Sequence, residues 1–246
     1  MSDFSDQYFL DQLPKGFYIT FAGNIGEGQD IETIIDTAEN LKELSYIHWL
    51  VIGYGSKYNW LKENVKLRNL HENVHVLGRR PLETMPLYFK FSDVLLASLK
   101  KKNIYALTLP GKIQAYMASA KPIIAMIDGE TARIIEESGS GLAVPSEDVE
   151  GLTDAVKLMS QMTINNLESM GNNGKRYYLE NFDFKKSLEK LDQFIKHKSY
   201  PDVIILQHKK STFPNSNQKL IQDVNYTNKK PKNIIKWRIH ICEILF

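Results

Sequence analysis

Residues 17–41 read FYITFAGNIGEGQDIETIIDTAENL. The run opens with seven residues rich in aromatic and β-branched types, the length and composition of a strand. A loop containing Gly23, Gly26 and Gly28 follows. Beyond it Ile31, Ile34, Ile35, Ala38 and Leu41 recur at helical spacing, so one face of a helix is apolar. Asp30 stands where a cap is expected, with Thr33 inside the first turn. A strand, a glycine loop and an amphipathic helix in this order open a parallel α/β unit, in which loop N–H groups and the positive helix start face the same space.

The same pattern repeats outward. YIHWLVIG (46–53), NVHVLG (73–78), DVLLAS (93–98), KPIIAMI (121–127) and GLAVP (141–145) are further strand-sized apolar runs. Their near-continuous apolarity predicts strands covered on both faces. Helical patterns lie between them at 31–44, 57–70, 83–90, 111–120, 132–138 and 148–161, the last capped by Ser146 or Asp148. Two more helices are expected at about 164–181 and 184–196, the second capped by Asp183. Strict alternation predicts right-handed crossovers and a Rossmann-like, doubly wound parallel sheet closed by C-terminal helices.

Composition is that of a folded chain: 246 residues are 43% apolar and 11% aromatic. The single cysteine, Cys242, excludes a disulfide framework and a cysteine zinc cluster. The first residues, MSDFSDQYFLDQLPKG, lack the basic-then-apolar order of a signal peptide, and no run reaches the roughly 18 apolar residues of a spanning helix. A cytoplasmic location is expected. The net charge of +2 is unevenly spread, because residues 197–246 carry nine Lys/Arg against three acids and leave the rest at −4. That balance gives no support to nucleic-acid binding by the main domain.

In an open parallel sheet, ligands bind beyond the carboxyl ends of the strands. Four loops place candidates there. AGNIGEGQD (22–30) supplies Gly23, Asn24, Gly26 and Gln29, and IGYGS (52–56) supplies Gly53 and Gly55, although glycines in such loops also serve plain tight turns. LGRRPLE (77–83) puts Arg79 and Arg80 beyond a strand, suited to a base or a diphosphate or simply to solvent. In LTLPGKIQAYMASAKPIIAMIDGE (107–130), Pro110 suits a helix start, Gly111 permits close approach, and Lys112 is set to meet a phosphate at that start. Asp128 and Glu130 end the next strand, where they either accept bonds from sugar hydroxyls or serve a polar turn. No metal-ligand pattern, nucleophile elbow or Walker loop occurs, and no catalytic residue is assigned. His48 and His75, within strands, read as packed or surface histidines, and Trp49 and Trp60 as core.

The ordered set AGNIGEGQD, VIGYGS, VHVLGRRP, FSDVLLASL, LPGKIQAYMASAKPIIAMIDGE and GLAVPSEDVEGLTDAV resembles the carboxyl-terminal half of a GT-B glycosyltransferase of the GT4 kind, over residues about 15–196. The bacterial branch that builds surface polysaccharide, including fucosaminyltransferases, is the most similar. The resemblance implies a domain that binds a nucleotide-sugar donor, with UDP as the expected base carrier. It further implies retaining transfer to a polysaccharide or lipid-linked acceptor with no obligatory metal. Three departures accompany it. Leu107 and Ala115 stand where many members carry two glutamates, and Asn24 and Gln29 stand where many carry Arg and Lys, so Lys112 with Arg79 or Arg80 is expected to take over the diphosphate charge. The resemblance covers the donor half alone, residues 1–14 are expected to be the end of a linker, and a separately encoded acceptor-binding domain is the expected partner.

Two functions follow from this: the donor half of a glycosyltransferase, weakly active alone, or a nucleotide-sugar binding or interaction module without catalysis, a truncated inactive remnant included. A dehydrogenase is disfavoured, since no Gly-x-Gly-x-x-Gly follows the first strand. The tail from 197 reads either as a basic segment in peripheral contact with the inner face of a membrane or as a disordered or aberrant appendage.

Overall fold

The computed structural model describes residues 2–182 together with 188, 189, 192 and 193. Helix α1 (Ser2–Asp11) precedes strand β1 (Phe17–Ala22) and helix α2 (Ile31–Asn40), with a 3-10 turn at Glu27–Gln29 between them. The chain continues through β2 (Ile47–Ile52), α3 (Tyr58–Leu67), β3 (Val74–Gly78), a 3-10 turn at Leu82–Thr84, α4 (Met85–Phe91) and β4 (Val94–Ser98). Helices α5 (Asn103–Ala106) and α6 (Gly111–Ala118) lead to β5 (Ile123–Met126), α7 (Glu130–Ser138), β6 (Gly141–Val144), α8 (Val149–Ser160) and α9 (Ile164–Asn181).

All strands pair in parallel in the order β3-β2-β1-β4-β5-β6, so the winding direction reverses between β1 and β4. The expected Rossmann-like sheet is present. Side chains alternate across it, as a period of two requires. Phe17, Ile19 and Phe21 pack with Trp49 and Val51 beneath α2, α3 and α8, and Tyr18, Leu50, Leu95 and Ile123 pack on the other face with side chains of α1, α4, α6 and α7. Both faces are buried, which is why the strands read as unbroken apolar runs. Ile31, Ile34 and Ile35 are each 1% exposed or less, and burial of one such side chain contributes about 1.5–3 kcal/mol.

Several local expectations need correction. Asp30 does not cap α2 through its side chain: it adopts a left-handed conformation (φ 50°, ψ 51°) that joins the 3-10 turn to the helix, and its carboxylate meets Thr33. Burial of that carboxylate raises its pKa. Residues 1–14 were expected as linker, yet they include α1, whose Leu10 is 1% exposed in the core. Helix α4 starts at Met85 rather than at 83, because the Thr84 hydroxyl donates to the Pro81 carbonyl and closes the 3-10 turn first. Asp148, one of the two expected caps of α8, accepts from the Gly151 N–H, whereas Ser146 serves elsewhere. His48 is packed against Tyr18 with ring centroids 4.9 Å apart. Burial, then the neighbouring His48, pulls His75 down to about 4, so it stays neutral. Trp49 is core, while Trp60 is only partly buried with the Lys57 ammonium 5.5 Å from its ring centroid. Of the expected helix at 184–196 the described residues 188, 189, 192 and 193 are helical, and the tail at 197–246 lies outside the described residues.

Candidate nucleotide site

The ends of β1, β2 and β3 open into a cavity of about 660 Å³ lined by Gly23, Asn24, Ile52, Gly53, Tyr54, Arg79, Arg80, Pro81, Leu82 and Met85. Its volume suits a small organic ligand. Five of the expected residues therefore meet here: Gly23, Asn24, Gly53, Arg79 and Arg80.

Its floor is two glycine loops laid against each other. Gly23 N–H donates to the Ile52 carbonyl at 2.9 Å, Ile25 N–H to Tyr54 at 3.1 Å, and Lys57 N–H to Ile25 at 2.9 Å. Gly53 has φ +144°, and a Cβ there would run into the Gly23 carbonyl oxygen. Only glycine fits that contact without displacing the backbone. Gly55 backs onto the Ile25 carbonyl and Gly26 is buried beside Asn24, so these two shape the loops rather than line the cavity.

Lys112 approaches Gly23 from α6 but, like Gln29, Pro110 and Gly111, does not itself line the cavity. A Cβ on Gly23 would stand 3.0 Å from its Nζ. Nζ donates to Gln29 Oε1 at 2.6 Å and lies 4.2 Å from the Phe21 ring centroid, with no carboxylate partner among the described residues. Burial pulls its pKa down to about 7, so the amine is only partly protonated near neutrality and a bound anion would favour its charged form. Pro110 accepts the Ile113 N–H at 3.0 Å and begins α6, and the side-chain position of Gly111 faces open space. None of the described residues crowds Gly111, which leaves the helix start open to a ligand.

Asp128 and Glu130 stand differently. Asp128 Oδ1 accepts from the Ser146 N–H at 3.1 Å while Asp128 N–H donates to Ser146 Oγ at 3.2 Å, a reciprocal pair that ties the ends of β5 and β6. Both oxygens of Glu130 accept from Arg133 at 2.7 and 2.9 Å, and that pairing lowers the Glu130 pKa. Neither lines the cavity. The polar-turn alternative thus describes the bonds these two acids make in the chain.

Other contributors escaped the sequence reading. Tyr116 on α6 is fully buried, and its hydroxyl accepts from Ala22 N–H and donates to Ala22 O, both at 3.1 Å, fixing the end of β1. Ser98 Oγ donates to the Gln29 carbonyl at 2.5 Å and orients the residue that holds Lys112. Tyr54 is 55% exposed at the rim, and Pro81, Leu82 and Met85 form an apolar wall. An aromatic between two glycines in IGYGS was the one available signal for Tyr54. Among the described residues no group of acids, histidines and cysteines could hold a metal, and no helix is long and apolar enough to cross a membrane.

A parallel sheet with a ligand-sized cleft beyond the carboxyl ends of β1, β2 and β3, and basic groups near glycine loops, defines a Rossmann-like α/β domain with a candidate ligand site. The chain matches the family described as Glycosyl transferases group 1 over residues 16–161, and it belongs to that family. It is 24% identical over 153 residues to the amylovoran biosynthesis glycosyltransferase AmsK of Erwinia amylovora, a match covering 61% of this chain and 38% of AmsK. HepE of Anabaena, solved in complex with UDP, has a TM-score of 0.67 at 13% identity, over 80% of this chain and 52% of that one. The C-terminal domain of LpcC, a glycosyl transferase group 1 family protein from Francisella tularensis, has a TM-score of 0.58 at 17% identity and is itself 92% covered by 73% of this chain. The fold is therefore that of GT-B glycosyltransferases. The match spans less than half the length of the curated relatives, between 36% and 46%.

Proposed function

We propose that the cavity at the ends of β1–β3 receives the nucleotide of a nucleotide sugar, UDP-linked in the first instance, and that the chain is the donor half of a retaining glycosyltransferase. The observation that carries this reading is that Gly23, Asn24, Gly53, Arg79 and Arg80 line one cavity, with Lys112 Nζ close behind Gly23. Lys112 and an arginine would neutralise the diphosphate, so no obligatory metal enters the proposal. The UDP present in the HepE structure supports the choice of base, the name of AmsK, an amylovoran biosynthesis glycosyltransferase, supports a role in polysaccharide synthesis, and a surface-polysaccharide or lipid-linked acceptor belongs to the proposal. Catalysis by positioning needs both substrates held together, so an acceptor-binding domain, encoded separately or elsewhere in a longer chain, completes the enzyme. Peripheral membrane contact through the basic tail and membership of the fucosaminyltransferase branch belong to the same proposal.

A second reading, a nucleotide-sugar binding module without catalysis, is favoured by one feature. Leu107, where the resemblance expects a glutamate, is 79% exposed, and Ala115 stands at the other such position. Calorimetric titration of the full chain with UDP, GDP, ADP and NAD tests the site. Saturable binding of UDP is expected, and binding of none of them would sink the donor-site reading. Transfer from a UDP-sugar once an acceptor domain is supplied separates the two readings.

A further inference from the structure

Arg79 and Arg80 are adjacent in sequence but differ in restraint. Arg79 is exposed and pairs with none of the described residues. Arg80 is partly buried, its Nε donates to the Tyr88 hydroxyl at 3.1 Å, and Asp6 Oδ1 lies 3.4 Å from the same Nε. Asp6 is 5% exposed and Tyr88 0%, and the Tyr88 hydroxyl bonds Asp6 as well. A carboxylate on α1, a phenol on α4 and a guanidinium beyond β3 thus form one buried chain. Burial, then the bond to Asp6, pushes the Tyr88 hydroxyl up to about 12, so it stays protonated and can donate.

The guanidinium is a rigid plane, so fixing Nε fixes the direction of the N–H groups on Nη1 and Nη2. Those two nitrogens hydrogen-bond to none of the described residues, and Arg80 lines the cavity. Helix α1, which carries Asp6, lies outside the residues matched by the family. We propose that Asp6 is a positioning residue: through Tyr88 it holds Arg80 in the cavity wall with both Nη groups presented to an oxygen of the bound nucleotide. The proposal rests on the donor-site reading above. Its physical basis is preorganisation, since an arginine already fixed by a buried partner loses less freedom when the ligand arrives.

The test uses the full chain. Asp6→Asn should weaken UDP binding by about 2- to 10-fold, the effect of freeing one rotamer-rich side chain, and Asp6→Glu should recover most of it. In an Arg80→Ala background the Asp6 substitution should change nothing further, whereas a merely structural role would persist there. Unchanged UDP affinity in Asp6→Asn, or an equal loss in both backgrounds, overturns the positioning role and leaves the donor site standing. A second readout needs no nucleotide: the Arg80 Nε–H resonance should be sharp in the wild-type protein and lost in Asp6→Asn, and its persistence refutes the hold on Arg80. Absence of UDP binding by the wild-type chain instead removes the donor-site reading and the nucleotide end of this proposal, while the resonance still decides whether Asp6 holds Arg80.

Discussion

The two ends of the sheet carry similar residues to opposite effect. Beyond β1, β2 and β3, glycine backbones and Arg79 line a cavity and keep bonding capacity for a ligand, with Lys112 close behind Gly23. Beyond β5 and β6, Asp128 and Glu130 bond to Ser146 and Arg133. A polar residue at a strand end marks a site only if its bonds are not already made within the chain, because a satisfied group gains little by exchanging one partner for another.

The largest way to break this contrast is at the glycine floor. Gly53→Ala forces a Cβ against the Gly23 carbonyl at φ +144°, and a loss of about 2–4 kcal/mol in urea unfolding is expected, with loss of UDP binding. Ordinary stability in that variant would show that the two loops are not locked as described. Next comes Lys112→Ala, which should weaken UDP binding by about 1.5–3 kcal/mol, as for a lost charge-assisted hydrogen bond.

Lys112 also sets a pH signature. Burial holds its free-state pKa near 7, and a bound diphosphate favours the charged form, so binding takes up a proton. UDP affinity should therefore fall as pH rises from 7 to 9, by at most about tenfold per unit, and Lys112→Ala should flatten the profile. A wild-type profile already flat over that range would contradict an uncharged resting amine.

At the other end of the sheet the expected effects are smaller. Asp128→Ala removes the reciprocal bond to Ser146 and should cost about 1–2 kcal/mol of stability while UDP affinity stays unchanged. Glu130→Gln, at an exposed pair with Arg133, should alter neither measurably. A marked fall in UDP affinity from either substitution would extend the site across the sheet and erase the comparison.

Element type and order were legible because the inner strands β1, β2, β4 and β5 are buried on both faces and the longer helices on one. Trp49 and Val51 read as strand for that reason, and Ile31, Ile34 and Ile35 as helix. Helix ends were less legible. The left-handed Asp30 and the 3-10 turn before α4 arise from local backbone geometry that no periodicity signals. Helix α1 was misread as linker because its anchors, Leu10 and Asp6, are defined by the core and by Arg80, which are distant in the chain.

By itself the sequence determined a parallel α/β domain and its strand order of appearance, and it offered four loops as candidates for a site, since apolar periodicity and glycine placement are local properties. The tertiary structure decided which residues of those loops act together. Lys112 and Gln29 are 83 residues apart and hydrogen-bonded, whereas Asp128 is held by Ser146, 18 residues away. Whether a polar group is free or satisfied depends on partners brought together only by folding, and burial then sets its charge.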